Sequence, residues 1–215
     1  MKKFPFILCI FLMIGLVSCA QQNAKPSIKK PIIDLSKYSK ATFASGCFWC
    51  VEAVFESVKG VAEAVSGYAG GKETNPTYEQ VSAHNTGHAE AVQVYYDPSV
   101  VSYATLLKVY FGSQNPTQVN GQGPDNGAPY RSLIFYRTAE EKKQAEQYIA
   151  ELQKNYKQKI AAQLMPFQKF WEAENYHQDY VLKNPRDGYV LGESIPRIKR
   201  FQKQFPELVK EGSKY

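Results

Sequence analysis

Cysteine is scarce in this chain. Four occur in 215 residues, at positions 9, 19, 47 and 50, and none follows Cys50. That count excludes a disulfide-stapled scaffold. Histidine is scarcer, with only His84, His88 and His177, so an imidazole-rich metal centre has little to draw on. The leading apolar stretch, Phe4–Val17, has fourteen residues, short of the roughly 20 that span a bilayer. No long block of one charge sign occurs. Lys+Arg number 26 against 20 Asp+Glu, and this net +6, spread along the chain, does not call for a nucleic-acid partner. With 44% hydrophobic and 21% charged residues, the composition excludes a disordered or low-complexity protein. The length suits one domain with a sizeable core, or at most two small ones.

Lys2 and Lys3 precede the apolar stretch, which ends in Leu16-Val17-Ser18-Cys19. A basic head, an apolar segment and a cysteine in that order resemble a bacterial lipoprotein signal, residues 1–18, cleaved before a lipidated Cys19. A plain secretory signal or an uncleaved anchor is the alternative. Cleavage removes both lysines and lowers the charge from +6 to +4. On this reading the protein is extracytoplasmic, on the periplasmic side, and held to a bacterial membrane through Cys19. Ala20 and Gln21 show no inner-membrane retention signal, which leaves the outer membrane open. Residues 19–40, rich in Gln, Lys, Pro and Ser, read as a flexible tether.

A catalytic domain is expected over 41–190, followed by a basic extension, 191–215, with a weak apolar stripe at Ile198, Phe201 and Phe205. Ala41–Ala44 reads as a strand, and Val51, Val54, Phe55 and Val58 recur at helical spacing. Val61–Tyr68 and Glu90–Tyr96 are further strands. Ser102 can cap a helix whose buried stripe is Tyr103, Leu106, Leu107, Tyr110 and Phe111. Ser113–Pro129, with three glycines and three prolines, is a long loop of the kind that carries function. Leu133–Tyr136 is a strand covered on both faces, and Thr138 with Glu141 forms a capping box for a helix to about Lys157. A further helix is expected around Phe170–Leu182. The order β-α-β-β-α-β predicts an α/β (α+β) two-layer sandwich resembling the ferredoxin-like split βαβ, with a mixed sheet.

The two remaining cysteines sit in Cys47-Phe48-Trp49-Cys50, where a strand turns into a helix. A bridge between them closes almost no loop, so its chemistry is the better reason for the pair. A thiol at a helix N-terminus faces unpaired N–H groups and the positive end of the dipole, so Cys47 is expected as a thiolate nucleophile. Cys50, one turn inside, is its resolving partner. Gly46 gives the turn its freedom. His84 and His88 could complete a Cys2His2 zinc set on paper, but 33 residues separate Cys50 from His84 against about 12–15 in a finger. A thioredoxin-like disulfide oxidoreductase shares the CxxC signature after a strand. Between the cysteines here, Phe48 and Trp49 would form an apolar wall for a small greasy group.

In the third strand, Glu90, Val92, Val94 and Tyr96 share one face. A carboxyl in line with valines is expected to keep its proton near neutral pH and to donate it. The alternative is a strand-end glutamate turned into water.

With Gly46-Cys47-Phe48-Trp49 and Gly87-His88-Ala89-Glu90-Ala91-Val92 both in view, the chain resembles the A-type peptide methionine sulfoxide reductases. The likeness runs over Ala41–Asn184, through Gly67-Tyr68-Ala69-Gly70-Gly71, Asn75-Pro76-Thr77-Tyr78 and Tyr130-Arg131-Ser132. It ends in Phe170-Trp171-Glu172-Ala173-Glu174-Asn175-Tyr176-His177-Gln178. The resemblance implies a reductase of methionine S-sulfoxide, free or in proteins, passing through a sulfenic acid on Cys47. It implies that Phe48 and Trp49 surround the substrate methyl, and that Glu90 protonates the sulfoxide oxygen with help from Tyr78 and Tyr130. Asp125 matches an aspartate that orients the site. No bound cofactor or metal is implied; an external thioredoxin-like dithiol supplies the electrons. Many members carry glycine in place of Cys50 and resolve with C-terminal cysteines, which this tail lacks. His177 reads as a structural hydrogen-bonding residue, and nothing demands more than a monomer. A general thiol–disulfide oxidoreductase of secreted proteins is the alternative function.

Overall fold

The computed structural model describes residues 33–215; the leader and Cys19 lie outside them. Of the segment read as a tether, residues 19–32 lie outside the described residues, and Leu35–Lys37 form a short 3-10 turn that leads into β1, Ser39–Ala44. The chain continues through α1 (Phe48–Glu56), β2 (Val61–Ala69), α2 (Tyr78–Ser82), β3 (Ala89–Tyr96) and α3 (Tyr103–Gly112). It goes on through β4 (Gly121–Gln122), β5 (Asp125–Asn126), β6 (Leu133–Tyr136), α4 (Ala139–Gln153), β7 (Gln163–Pro166) and β8 (Phe170–Glu172), and ends with α5 (Tyr180–Lys183) and α6 (Ile195–Gln204). No helix among the described residues is long and apolar enough to cross a membrane.

Six strands form one mixed sheet in the order β7-β6-β1-β3-β2-β8. All pairings are antiparallel except β6 with β7. The inner order β6-β1-β3-β2, with α1 and α3 as the two crossovers, is the split βαβ arrangement that the sequence predicts. Phe43 of β1 anchors the helix-covered face. Its ring stacks on Phe55 of α1 at 5.2 Å and on Tyr110 of α3 at 5.2 Å. Truncating such a fully buried ring costs roughly 3–5 kcal/mol. Glu90, Val92 and Val94 point to this same face and are buried, so Glu90 is not turned into water. The opposite face carries a smaller cluster of Ala44, Ala69, Ala89, Ala91, Leu133 and Phe135.

Three local expectations change. The segment at Phe170–Leu182 is helical only at its end, where α5 begins at Tyr180. Phe170, Trp171 and Glu172 pair with Ala69, Tyr68 and Gly67 as an edge strand. A Cβ on Gly67 would lie 2.3 Å from the Trp171 carbonyl oxygen, so this close approach requires glycine. The Gln178 side chain then brackets the Ser66 backbone, accepting from its N–H at 3.0 Å and donating to its carbonyl at 2.9 Å. Helix propensity yields here to these long-range bonds. The long loop 113–129 contains the β4–β5 hairpin. The α4 cap is one-sided: Thr138 receives the Glu141 N–H, but the Glu141 carboxylate accepts from Arg137 N, and the helix stops at Gln153.

The 191–215 segment packs onto the domain. Ile198 and Phe201 of α6 are buried in the same core cluster as α1. The described residues, 33–215, fall within a single compact unit.

Candidate active site

The site is built on the N-terminal end of α1. The turn from β1 needs Gly46, which has φ +73° and where a Cβ would lie 2.5 Å from Gln122 Cβ. Cys47 is the N-cap of α1, with an extended ψ of 125°, and its carbonyl accepts from the N–H groups of Cys50 and Val51. The next exposed donor of the helix, Phe48 N–H, does not face a sulfur. It donates to Glu90 Oε2 at 2.9 Å. The Cys47 N–H goes to the Asp125 carboxylate. The helix end is therefore occupied by two carboxyl groups rather than by the thiol.

That arrangement reverses one expectation. Burial, helped by the neighbouring Cys50 and by the charges of Glu90 and Asp125, holds the Cys47 thiol well above its ordinary range. Cys50 goes the other way. The Cys47 thiol hydrogen-bonds to it, Arg197 lies close, and the Ser194 and Tyr189 hydroxyls lie beside it, so it is pushed down to about 6 despite its burial. In the reduced pair, with both cysteines free, the charge belongs to Cys50 and the proton to Cys47.

Cys47, Phe48, Trp49, Tyr78, Glu90, Asp125 and Tyr130 line one cavity of about 150 Å³, and Tyr189 completes its wall. Glu90 is 2% exposed, and burial raises it to about 8 against the pull of the Phe48 N–H, so it is a neutral acid at pH 7. Burial and the charge of Glu90 also push Tyr78 up to about 12 and Tyr130 further, so both hydroxyls stay protonated donors. Tyr78 is the first residue of α2, placed by the Thr77–Gln80 capping box and by its own N–H donating to Glu174 at 3.0 Å. The floor is aromatic. Trp49 stacks on Tyr180 at 3.6 Å and donates its indole N–H to His177 Nδ1 at 3.0 Å, while Phe48 lies 4.9 Å from the His177 ring. Burial lowers His177, which keeps it neutral and able to accept.

Of the catalytic, resolving and substrate-binding residues singled out in the sequence, Cys50 is the one that does not line this cavity. It is 2% exposed and lines a second cavity of about 470 Å³. His88 does not meet the cysteines: its ring bonds the Gly71 N–H and the Glu73 carbonyl. Among the described residues, the group of side chains close enough together to hold a metal is instead three carboxylates, Glu52, Glu56 and Asp179. Sequence reasoning missed Tyr189, whose hydroxyl donates to Asp125 at 2.5 Å, and nothing marks it among fifteen tyrosines. It also missed Ser194 and Arg197. Here a signal existed, since Ser194, Arg197, Ile198 and Phe201 fall on one helical face and a polar pair on an apolar face invites a question.

Comparisons with known proteins point to one family. The peptide methionine sulfoxide reductase family profile matches residues 39–209. The peptide methionine sulfoxide reductase MsrA of Pasteurella multocida is 47% identical, covering 80% of this chain and 98% of its own. That of Thermus thermophilus is 45% identical, over 79% and 97%. Among solved structures, reduced Mxr1 from Saccharomyces cerevisiae superimposes with a TM-score of 0.67 at 33% identity, over 73% of this chain and 91% of that one. Methionine sulfoxide reductase A of Corynebacterium diphtheriae gives 0.64 at 30%, over 70% and 77%. With that match over most of its length, and with a neutral acid, two tyrosine hydroxyls and a capping cysteine gathered around one small pocket, the chain belongs to the peptide methionine sulfoxide reductase family.

Proposed function

We propose that Cys47 and Glu90 reduce the S epimer of methionine sulfoxide, free or in oxidised proteins, and that Cys50 and an external thioredoxin-like dithiol restore the enzyme. The observation that carries this reading is the neutral carboxyl of Glu90 beside Cys47 in one small cavity with Tyr78 and Tyr130. A sulfoxide oxygen leaves sulfur only as it acquires a proton, and Glu90 is the group that holds one there. The Cys47 sulfur attacks the substrate sulfur, the S=O bond gives way, and methionine departs as Cys47 becomes a sulfenic acid carrying the oxygen. Glu90 supplies the proton on that oxygen, and the proton of the Cys47 thiol has Cys50 as its adjacent acceptor. Phe48 and Trp49 take the substrate methyl; Asp125 orients the cap through the Cys47 N–H.

Cys50 then displaces the oxygen. Cys47–SOH and Cys50–SH give the Cys47–Cys50 disulfide and water. A thioredoxin-like dithiol exchanges with that disulfide, leaving both cysteines reduced and itself oxidised. Separated epimers incubated with the protein and dithiothreitol test the reading by mass spectrometry: the S epimer is consumed and the R epimer persists. If neither is consumed while insulin disulfides are reduced, the protein is a general disulfide exchanger instead. Cys50→Ser is expected to release about one methionine per enzyme and then stall with thioredoxin; multiple turnovers would remove Cys50 as resolver.

The N-terminal sequence supports an extracytoplasmic enzyme, monomeric and tethered by a lipid on Cys19, with the outer membrane as a candidate site. Cys19→Ala is expected to move the protein from the detergent phase to the aqueous phase. Retention of the variant in the detergent phase would refute the lipid tether.

A further inference from the structure

The Cys50 sulfur lies 3.2 Å from Ser194 Oγ, in the π-helical turn Val190–Ser194 that leads into α6. One turn on, Arg197 is 8% exposed and buries its guanidinium against the β1–α1 turn. Its Nε donates to the Ser113 carbonyl at 2.6 Å, Nη1 to the Ser45 carbonyl at 3.0 Å and Nη2 to Ser45 Oγ at 2.9 Å. All three acceptors are neutral, and Arg197 makes no ion pair among the described residues. A buried cation without an anion is costly, and the usual solution is a nearby negative charge. Cys50 and Arg197 lie on the wall of the same cavity, and Asp125 with Tyr189 separates that cavity from the substrate pocket.

We propose that Ser194 and Arg197 form an anion site that holds Cys50 as a thiolate, which makes them positioning residues for the step that resolves the Cys47 sulfenic acid. This rests on the reading of Cys50 as the resolving cysteine. In that step Cys50 gives up the proton it took from Cys47 and, as Cys50–S⁻, donates an electron pair to the Cys47 sulfur; the S–S bond forms, the S–O bond breaks, and the departing hydroxide takes that proton to become water. The groups facing Cys50 are the Cys47 thiol from the cap of α1, Glu90 from β3, Tyr189, Ser194 and Arg197, with Asp125, Glu193 and Arg200 around the cavity. Ser194 and Arg197 both belong to the C-terminal segment. That segment is thus part of the redox machinery in a chain that has no cysteine there. The downward shift of Cys50 agrees, with Arg197 and Ser194 both acting to lower it.

Iodoacetamide alkylation of Cys50, read on its peptide by mass spectrometry across pH, tests this in the full-length Cys47→Ser chain. Alkylation is expected to rise with a midpoint below that of an ordinary thiol, because Arg197 and Ser194 remain beside Cys50. Adding Arg197→Met is expected to raise the midpoint by about one unit or more, roughly tenfold less thiolate at low pH. Arg197→Lys, which keeps the charge, is expected to restore most of the shift. Ser194→Ala, a milder change should Arg197→Met fail to fold, is expected to raise the midpoint by a smaller amount. An unmoved midpoint in Arg197→Met or, where that fails to fold, in Ser194→Ala overturns the proposal, as does a Lys variant shifted as far as Met. With Cys47 present, disulfide formation after one turnover is expected to follow the same shift. Failure of the unsubstituted protein to release methionine overturns the resolving role but leaves the Cys50 titration readable, so the two failures are distinguishable.

Discussion

Two carboxylic acids are buried against α1, and they differ in what they face. Glu90 of β3 and Glu52 of α1 are each 2% exposed, and burial raises each to about 8. Glu52 has both oxygens taken: Ser66 Oγ donates to one at 2.5 Å and the Asp179 N–H to the other at 2.6 Å. It lines neither cavity at the head of the helix. Glu90 accepts one N–H, from Phe48, and lines the substrate pocket with Cys47. A shifted carboxyl is thus the signature of burial. Catalysis requires, in addition, an open side onto a space where a reacting oxygen can sit.

The sharpest way to break this comparison is to neutralise each acid in turn. Glu90→Gln keeps an acceptor for the Phe48 N–H but has no proton to give, so the methionine burst is expected to slow by about 10²- to 10⁴-fold. Glu52→Gln is expected to leave the burst within about twofold. Equal losses in rapid-quench measurements would mean that the environment, not the open face, matters. Next in size come the hydroxyls beside Glu90. Tyr78→Phe and Tyr130→Phe are each expected to cost about tenfold in the burst, since each removes a protonated donor aimed into the pocket. The pH profile separates the acids again. A group that must be protonated gives a burst rate that is level below pH 8 and falls through it as Glu90 ionises, and Glu52→Gln is expected to retain that falling limb.

Local pattern made half of this site legible. The two-residue strand period put Glu90 on the face of Val92 and Val94, and Gly46 followed by a helical stripe put Cys47 at a cap. The charge distribution was not legible. Which donor a helix end spends on which acid depends on β3 and β5 meeting α1 from 42 and 78 residues away, and the sequence shows neither approach. The consequence was the reversal between Cys47 and Cys50. Tyr189 was hidden for the same reason, because its partner Asp125 lies far back in the chain. The strand at Phe170–Glu172 escaped because an edge strand three residues long has no period to read.

The smallest expected effect concerns stability alone. A carboxyl whose folded value is raised to about 8 holds, through neutral pH, a proton that the unfolded chain has already released. The unfolded state then binds fewer protons, so stability falls as pH rises. The contribution of Glu52 is fully present below its ordinary value near 4.5 and is lost as pH rises through 8. Glutamine mimics the protonated acid at every pH. Glu52→Gln is therefore expected to leave the melting temperature almost unchanged at pH 5 and to raise it by a few degrees at pH 8, flattening its decline across that range. Glu90→Gln is expected to flatten the decline in the same way while stopping the reaction, so calorimetry finds the two acids alike where kinetics finds them different. A steeper decline in Glu52→Gln would show that Glu52 is ionised in the folded protein, and its likeness to Glu90 would then end at burial.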